Sequence, residues 1–579
     1  MSVVVKSTVE SIKECVRNAA NKAMDEGLLI ESELPEFSIE EPADSSHGDF
    51  AVNAAMIWAR ALRNSPRKIA EAIVSNIDIN DTYIEKLEIA GPGFINFYLK
   101  SSYYAAVVSD VLCKGEKYGC SDIGTGKKVM VEFVSANPTG PMHNRKARGG
   151  ALGDTLASVL DNAGYEVTRE FYVNDAGNQI QKFAGSLEAR YLQLFDPEIE
   201  FPEDGYHGAD IIERATEFKE INGDKYLNSS SEERRQALVD YALPLNIAAL
   251  KTDLEAYRIN YDVWFRESSL YADGTLEKVI KHMKDSGLTY EKDGALWYKN
   301  AEFTAALLKK QGKSDADIEK LELKDDVLIR ANGNPTYFAA DIAYHYNKFH
   351  IRGFDTVINV WGADHHGHVA RLKGAMDAIG ESGDKLDIVL MQLVRLVRAG
   401  EVVRVSKRTG KSITLKTLLD EVPVDAARFI FNSKEPSTHL EFDLDLAVEE
   451  TSQNPVYYVQ YAHARICSIL RALENDNIKP RECTLEELSM LNTAEERMLI
   501  KHIASLTGEI ESAARSYDSA RITRYVYDLA TLFHKFYNAC RVKVDDEPLM
   551  QARLNLCIAT ASVIKVVLSM LKIDAPTSM

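Results

Sequence analysis

The residues best equipped for chemistry cluster where an apolar run gives way to a loop rich in proline and glycine. Val129, Met130, Val131, Phe133 and Val134 form the run and predict a short buried strand. Asn137-Pro-Thr-Gly-Pro141 cannot continue it, because its prolines lack a donor and its glycine favours a turn. Leu152, Leu156, Val159 and Leu160 then share one helical face, after a glycine-rich start at Arg148-Gly-Gly150 and before Gly164, a suitable C-terminal cap. Strand, loop and glycine-rich helix in that order present backbone N–H groups to a nucleotide. Tyr337 and Asp341 lie one helical turn apart in an apolar helix, so both can face one cleft. His365, His366 and His368 are spaced i, i+1, i+3 with no separate fourth ligand, which suits nucleotide contact or packing better than a metal. No metal site is predicted elsewhere either. Asn174 and Asp175 can either floor a pocket or cap their own turn, and Asp49 reads as structural.

The elements needed to position these residues alternate between strand and helix. Residues 1–120 predict a first helix (Ile12, Cys15, Ala19, Ala23), an alanine-rich helix over 54–62 and a turn into a strand at Ala90-Gly-Pro-Gly-Phe94, an α+β unit. Arg60, Arg63, Arg67 and Lys68 suggest a helical basic edge. Strands over 129–134 and 165–173 form the first half of a doubly wound sheet. Strands at 328–330, 356–361 and 388–397 form its second half, within a unit spanning 121–420. Between the halves, about 186–325 reads as a polar insertion that includes Tyr261-Asp-Val-Trp264 and a hairpin at Asp293-Gly294. From 421 to 579 the pattern is wholly helical, with Val459, Ala462, Ile466, Ile469 and Leu473 on one face.

The 579 residues suggest about four units of ~150 residues. No run of ~18 apolar residues is read, so no membrane span is expected, and the polar start is not a signal peptide. Seven scattered cysteines without a CxxC pair argue against zinc and disulfides and for a reducing compartment, the cytoplasm. A net charge of −19 does not exclude a nucleic acid, since polyanion binding depends on local patches. Six basic residues between Arg395 and Lys411 form one such patch. A mixed cation and aromatic stretch, from Arg515 to Arg541, forms another.

Taken together, these motifs resemble the arginyl-tRNA synthetase family of class I aminoacyl-tRNA synthetases over essentially the whole chain. Asn137 to His143 and Ala147 to Gly150 are similar to that family's first active-site motif, and Arg404-Val-Ser-Lys-Arg408 with Gly410 to its second. The resemblance implies a Rossmann-like catalytic domain, an N-terminal domain that contacts tRNA and a helical anticodon-binding domain. It implies ATP-dependent activation of L-arginine and transfer to the 3′-terminal adenosine of tRNA(Arg), with ATP and Mg2+, by a monomer without an editing domain that binds tRNA before activating arginine. By this resemblance Glu132, Asn137, Tyr337 and Asp341 bind arginine. ATP falls to Ala136, Asn137, Pro138, Thr139, Gly140, Pro141, Met142, His143, Asn144, Arg145, Lys146, Gly362, Asp364, Ser406 and Lys407. His143, Lys146, Arg404 and Lys407 are the catalytic cations and donors, and Tyr461, Arg465 and Arg541 meet tRNA. The chain departs from the family at Arg145, where a glycine is usual, and at Lys146, where His or Asn is usual. An arginine there either projects away or fills the base pocket, and it is strained if the position needs positive φ; weak activation is the expectation. A catalytically impaired tRNA-binding relative is therefore the alternative reading.

Overall fold

A computed structural model of the chain describes residues 3–42, 44–403 and 413–579. Its centre is a five-stranded sheet. The strands are β1 (Lys128–Glu132), β2 (Glu166–Val173), β3 (Val263–Arg266), β4 (Thr356–Gly362) and β5 (Leu386–Met391). Their order is β5-β4-β1-β2-β3, and every pairing is parallel. The apolar run forms β1 because a central parallel strand is covered on both faces and cannot alternate with polar residues.

Helix α1 (Arg145–Asn162) follows β1 and packs so closely that a Cβ on Gly153 would lie 2.3 Å from the Phe133 ring. These glycines therefore serve packing of helix on strand at least as much as any ligand. Gly164 has φ +89°, as a residue that ends a helix requires. The second half supplies α2 (Tyr337–Tyr346), continued by a π-helical turn at Asn347–Ile351, and α3 (His366–Ala378) after β4.

Three expectations for the sheet need correction. Tyr261–Trp264 does not belong wholly to an insertion, since Val263–Arg266 is the edge strand β3 and Trp264 stacks on Phe171 at 4.3 Å. Four residues are too few for a periodicity to stand out. The strand at 328–330 does not resume the central sheet. Asp326–Ile329 pairs antiparallel with Ala295–Tyr298, the second strand of the Asp293-Gly294 hairpin. The stretch 388–397 is two strands, because at Gln392 the chain turns away to bond Pro436 O, and Val394–Arg398 pairs with Leu440–Asp443.

The N-terminal residues fold as a helix, Val3–Asp25, and a four-stranded antiparallel sheet. Arg60 and Arg63 lie in the turn before the helix Pro66–Asn76, with Arg63 at φ +46°. Only Arg67 and Lys68 are helical, since Pro66 disfavours helix in the residue before it. Asp49 is structural: it accepts from Leu99 N (2.8 Å) and Tyr104 Oη (2.6 Å) and pairs with Lys501 of the C-terminal helices (3.2 Å).

The C-terminal bundle includes α4 (Pro455–Asn475), α5 (Ala520–Ala539) and α6 (Glu547–Met570). By length and hydropathy α6 is the one helix among the described residues that could cross a membrane, contrary to the reading that no such stretch exists. It is the bundle's core helix, with 78% of its apolar window buried. Bundle and sheet are locked by Arg428, fully buried, which donates to Leu571 O, to Tyr257 O and to Asp154 on α1. Removing one partner of a buried pair strands the other's charge. Arg428→Met is therefore expected to lower unfolding free energy by about 3–5 kcal/mol in urea titrations, and Asp154→Leu with Arg428→Met to recover part of it.

Candidate active site

A sheet wound in both directions from its middle leaves a crevice where the connections diverge, here between the carboxyl ends of β1 and β4. A pocket of about 560 Å³ occupies that crevice. Glu132, Val134, Ser135 and Lys146 line it from one side, Asp341 from α2, and Trp361, Gly362, Asp364 and His368 from the other.

The chain leaves β1 through two consecutive non-glycine residues in the left-handed region, Val134 (φ +68°) and Ser135 (φ +39°). A β-branched residue there is strained and needs the surroundings to hold it. Ser135 Oγ donates to Glu132 Oε1 (2.9 Å) and accepts from Tyr172 N (3.2 Å), and Val134 O accepts from Lys146 Nζ (2.9 Å). Burial lowers the Lys146 ammonium pKa, and the charges of Asp364 and Glu132 oppose that shift. Through the motif loop, Ala136, Pro138, Thr139 and Met142 turn inward and are buried, and Asn137 and Pro141 are exposed. Pro138 O accepts from Asn246 (3.1 Å), and Gly140 lies against Asp210, so helices of the insertion brace the loop.

The end of the loop pairs with the chain on the far side of the second motif. Asn144 N donates to Ile413 O (3.1 Å) and Leu415 N to Met142 O (2.8 Å). Arg404, Ser406 and Lys407 lie outside the described residues. His143 Nδ1 accepts from the amide of Arg145 (3.2 Å), which leaves the proton on Nε2. Partial burial, then the Arg145 charge, lowers its pKa. Arg145 itself is the first residue of α1, helical, exposed and absent from the pocket wall. Of the two placements open to it, the side chain takes the outward one, and its helical φ carries no strain. Next to it, Arg148 is fully buried and donates to the carbonyls of Gln392, Lys434, Glu435 and Thr438.

On the opposite wall Asp341 accepts from His368 Nε2 (2.9 Å) and offers its remaining lone pairs to the cleft, and Tyr337 is exposed at the start of α2. His368 packs beside Trp361 and Phe338, and His365 and His366 are exposed. Among the described residues no cluster of His, Cys, Asp or Glu can hold a metal ion.

Family models cover nearly the whole chain. The model for the class I (R) tRNA synthetase catalytic domain matches residues 107–468, that for the arginyl tRNA synthetase N-terminal domain residues 10–99, and that for the DALR anticodon binding domain residues 459–579. The chain is 55% identical to an arginine–tRNA ligase of Caldanaerobacter subterraneus subsp. tengcongensis and 52% identical to one of Acetivibrio thermocellus, covering 100% of both chains in each case. The chain belongs to the arginyl-tRNA synthetase family. The fold agrees with the Thermus thermophilus arginyl-tRNA synthetase structure at TM-score 0.71 and 21% identity, over 99% of this chain and 100% of that one. Similarity of this extent gives no support to the impaired tRNA-binding relative.

Two side chains at the family's pocket escaped the sequence reading. Glu267, 1% exposed, follows β3 and receives the Asn174 amide (3.1 Å), while Asp175 bonds Ser268 and closes the turn. A carboxylate just past a parallel strand is a recognisable signal, but β3 itself was not recognised. Lys348, fully buried in the π-turn, donates to Glu132 Oε2 at 2.6 Å. In the bundle Arg465 donates to Tyr461 Oη (3.0 Å) and lies over the Tyr461 and Tyr537 rings, and the exposed Tyr461 stacks with the half-buried Tyr457. Arg541 is exposed just beyond α5.

Burial raises the Glu267 carboxyl from 4.5 to about 7; hydrogen bonding with Tyr172 opposes the shift and the charges of Asp341 and Asp175 add to it. Between those values the folded chain holds a proton that the unfolded chain has lost. Stability from this group is thus present below the unfolded value and lost as pH rises towards 7. The fall is expected to reach about 3 kcal/mol and to be absent from Glu267→Gln when the two are unfolded side by side across that range.

Proposed function

We propose that the protein is an arginine–tRNA ligase, which activates L-arginine with ATP and transfers it to the 3′-terminal adenosine of tRNA(Arg). The observation that carries this reading is the pocket at the switch point, where carboxylates that can accept a guanidinium face donors that can meet a phosphate. Full-length identity to arginine–tRNA ligases supports it.

A guanidinium is a planar cation with five donors, and leaving it unpaired in a dry site costs several kcal/mol. Asp341 and the Tyr337 hydroxyl would take its fork, with Glu132 and Asn137 holding the rest of the amino acid. Glu267 adds a second carboxylate behind Asp341. ATP would lie across Gly362 and Asp364 and along residues 136–146, with the Nε2–H of His143 and the ammonium of Lys146 donating to its α-phosphate. Arg404, Ser406 and Lys407 would close over the pyrophosphate. The arginine carboxylate oxygen attacks the α-phosphorus and pyrophosphate leaves. The terminal adenosine hydroxyl then attacks the adenylate's carbonyl carbon and AMP departs. Donors fixed before the reaction stabilise the charge that develops on phosphate oxygen. The family uses ATP. Mg2+ would offset the negative charge of the nucleotide's phosphates.

On this reading residues 1–120 and 421–579 grip tRNA from either side of the catalytic unit 121–420. Tyr461, Arg465 and Arg541 meet unstacked bases or phosphate, since exposed aromatic rings beside a cation suit both. The protein would act as a monomer in the cytoplasm, where its seven free cysteines stay reduced.

Charging of tRNA(Arg) with arginine is the deciding assay. It is expected for the native chain and also for Arg145→Gly, whose rate should stay within about threefold because the replaced side chain points to solvent. Charging with another amino acid, or none, overturns the reading. Asp341→Asn is expected to lower kcat/KM for arginine by about 100-fold or more with little change in KM for ATP. If phosphate contacts dominate tRNA binding, its affinity should fall steeply and log-linearly between 50 and 200 mM salt, with a shallower slope for Arg465→Ala.

A further inference from the structure

Glu132 is not a free acceptor. One oxygen receives the Ser135 hydroxyl and the other the Lys348 ammonium, and a carboxylate engaged this way retains lone pairs for a further donor only in fixed directions. Lys348 is held as firmly. Its Nζ bonds Asn359 Oδ1 (3.2 Å) and lies 4.0 Å from the centre of the Tyr344 ring. Asn359 sits on β4 and its amide donates to His345 Nε2 (2.8 Å), while His345 Nδ1 donates to the Asp341 carbonyl (2.8 Å). With one nitrogen accepting and the other donating, His345 is neutral, and its complete burial favours that form. The chain of bonds runs without a gap from the Glu132 carboxylate through Lys348, Asn359 and His345 to the backbone of Asp341. It joins the two walls of the pocket beneath its floor.

We propose that Lys348 is a positioning residue for the amino-acid pocket. On the reading of Glu132 as an arginine ligand, its buried ammonium aims the free lone pairs of Glu132 at the cleft and ties them in register with Asp341. Two features of the geometry support this role. A lysine with no exposed surface is costly unless it is paired, and here every direction of its ammonium is used. It also stands in a π-turn, an irregularity common where a helix serves a site. Lys348 has a second consequence for the pocket. It offsets one of the carboxylates that crowd there, so the net field on a dicationic amino-acid side chain and α-amine comes from Asp341 and Glu267.

The test compares Lys348→Met, Glu132→Gln and the double variant by charging of tRNA(Arg), varying arginine and ATP separately. Lys348→Met is expected to raise KM for arginine about tenfold or more with KM for ATP and kcat changed far less. The double variant, which leaves no buried charge behind, is expected to match Glu132→Gln alone in KM for arginine, because the effect of Lys348 on the substrate is carried by Glu132. Should Lys348→Met fail to fold, the double variant decides by itself. If its arginine KM clearly exceeds that of Glu132→Gln, the proposal is overturned. Equal effects of Lys348→Met on arginine and ATP overturn it too, as a general loss of structure would cause them. Native protein that charges with arginine while Glu132→Gln keeps a native arginine KM also removes it. Native protein that fails to charge defeats the functional reading itself.

Discussion

Everything at the site follows from one constraint, that a parallel sheet must wind outward in both directions from β1 and β4. The two connections leave these neighbouring strands on opposite faces of the sheet, so no backbone covers the gap between their carboxyl ends. The pocket lies there because nothing else can. The strained exit at Val134 and Ser135 gains its meaning from the same constraint: a gentler turn would carry the chain across the gap and close it.

Holding that gap open demands rigid walls, and the chain builds them with buried polar bonds as well as apolar packing. On one side α1 is pressed to the sheet by glycines without Cβ atoms and pinned at its start by the four carbonyls around Arg148. Along its length Asp154 takes the Arg428 guanidinium, so the helix that begins beside the pocket is tied to the C-terminal bundle. The Arg428–Asp154 pair thus ties α1 to the C-terminal part of the chain, and the Asp49–Lys501 pair ties the N-terminal sheet to the C-terminal helices.

The electrostatics of the pocket arise from crowding rather than from any one group. Glu132 and Asp341 line one pocket, the Asp341 charge acts on the buried Glu267, and each carboxylate is accommodated differently. Glu132 is paired with Lys348, Asp341 is bonded to His368, and Glu267 is buried until its carboxyl titrates near neutrality.

The sequence by itself determined the apolar run of β1, the break at its prolines, the helical spacing of Tyr337 and Asp341 and the family, because each is written in local spacing: a strand breaks at prolines, a helix repeats every turn. It also marked Arg145 and Lys146 as unusual. What it could not decide was direction. Whether Arg145 faces base or solvent depends on where α1 begins, and only the fold shows that it begins at Arg145. Strand β3 was invisible because four residues carry no period, and with it went Glu267. Lys348 carries no local signal in Asn347-Lys-Phe349, and its role appears only because β1 and β4 bring Glu132 and Asn359 to it from far along the chain. Contacts between residues distant in sequence are made by the sheet, and only the tertiary structure decides which of them meet.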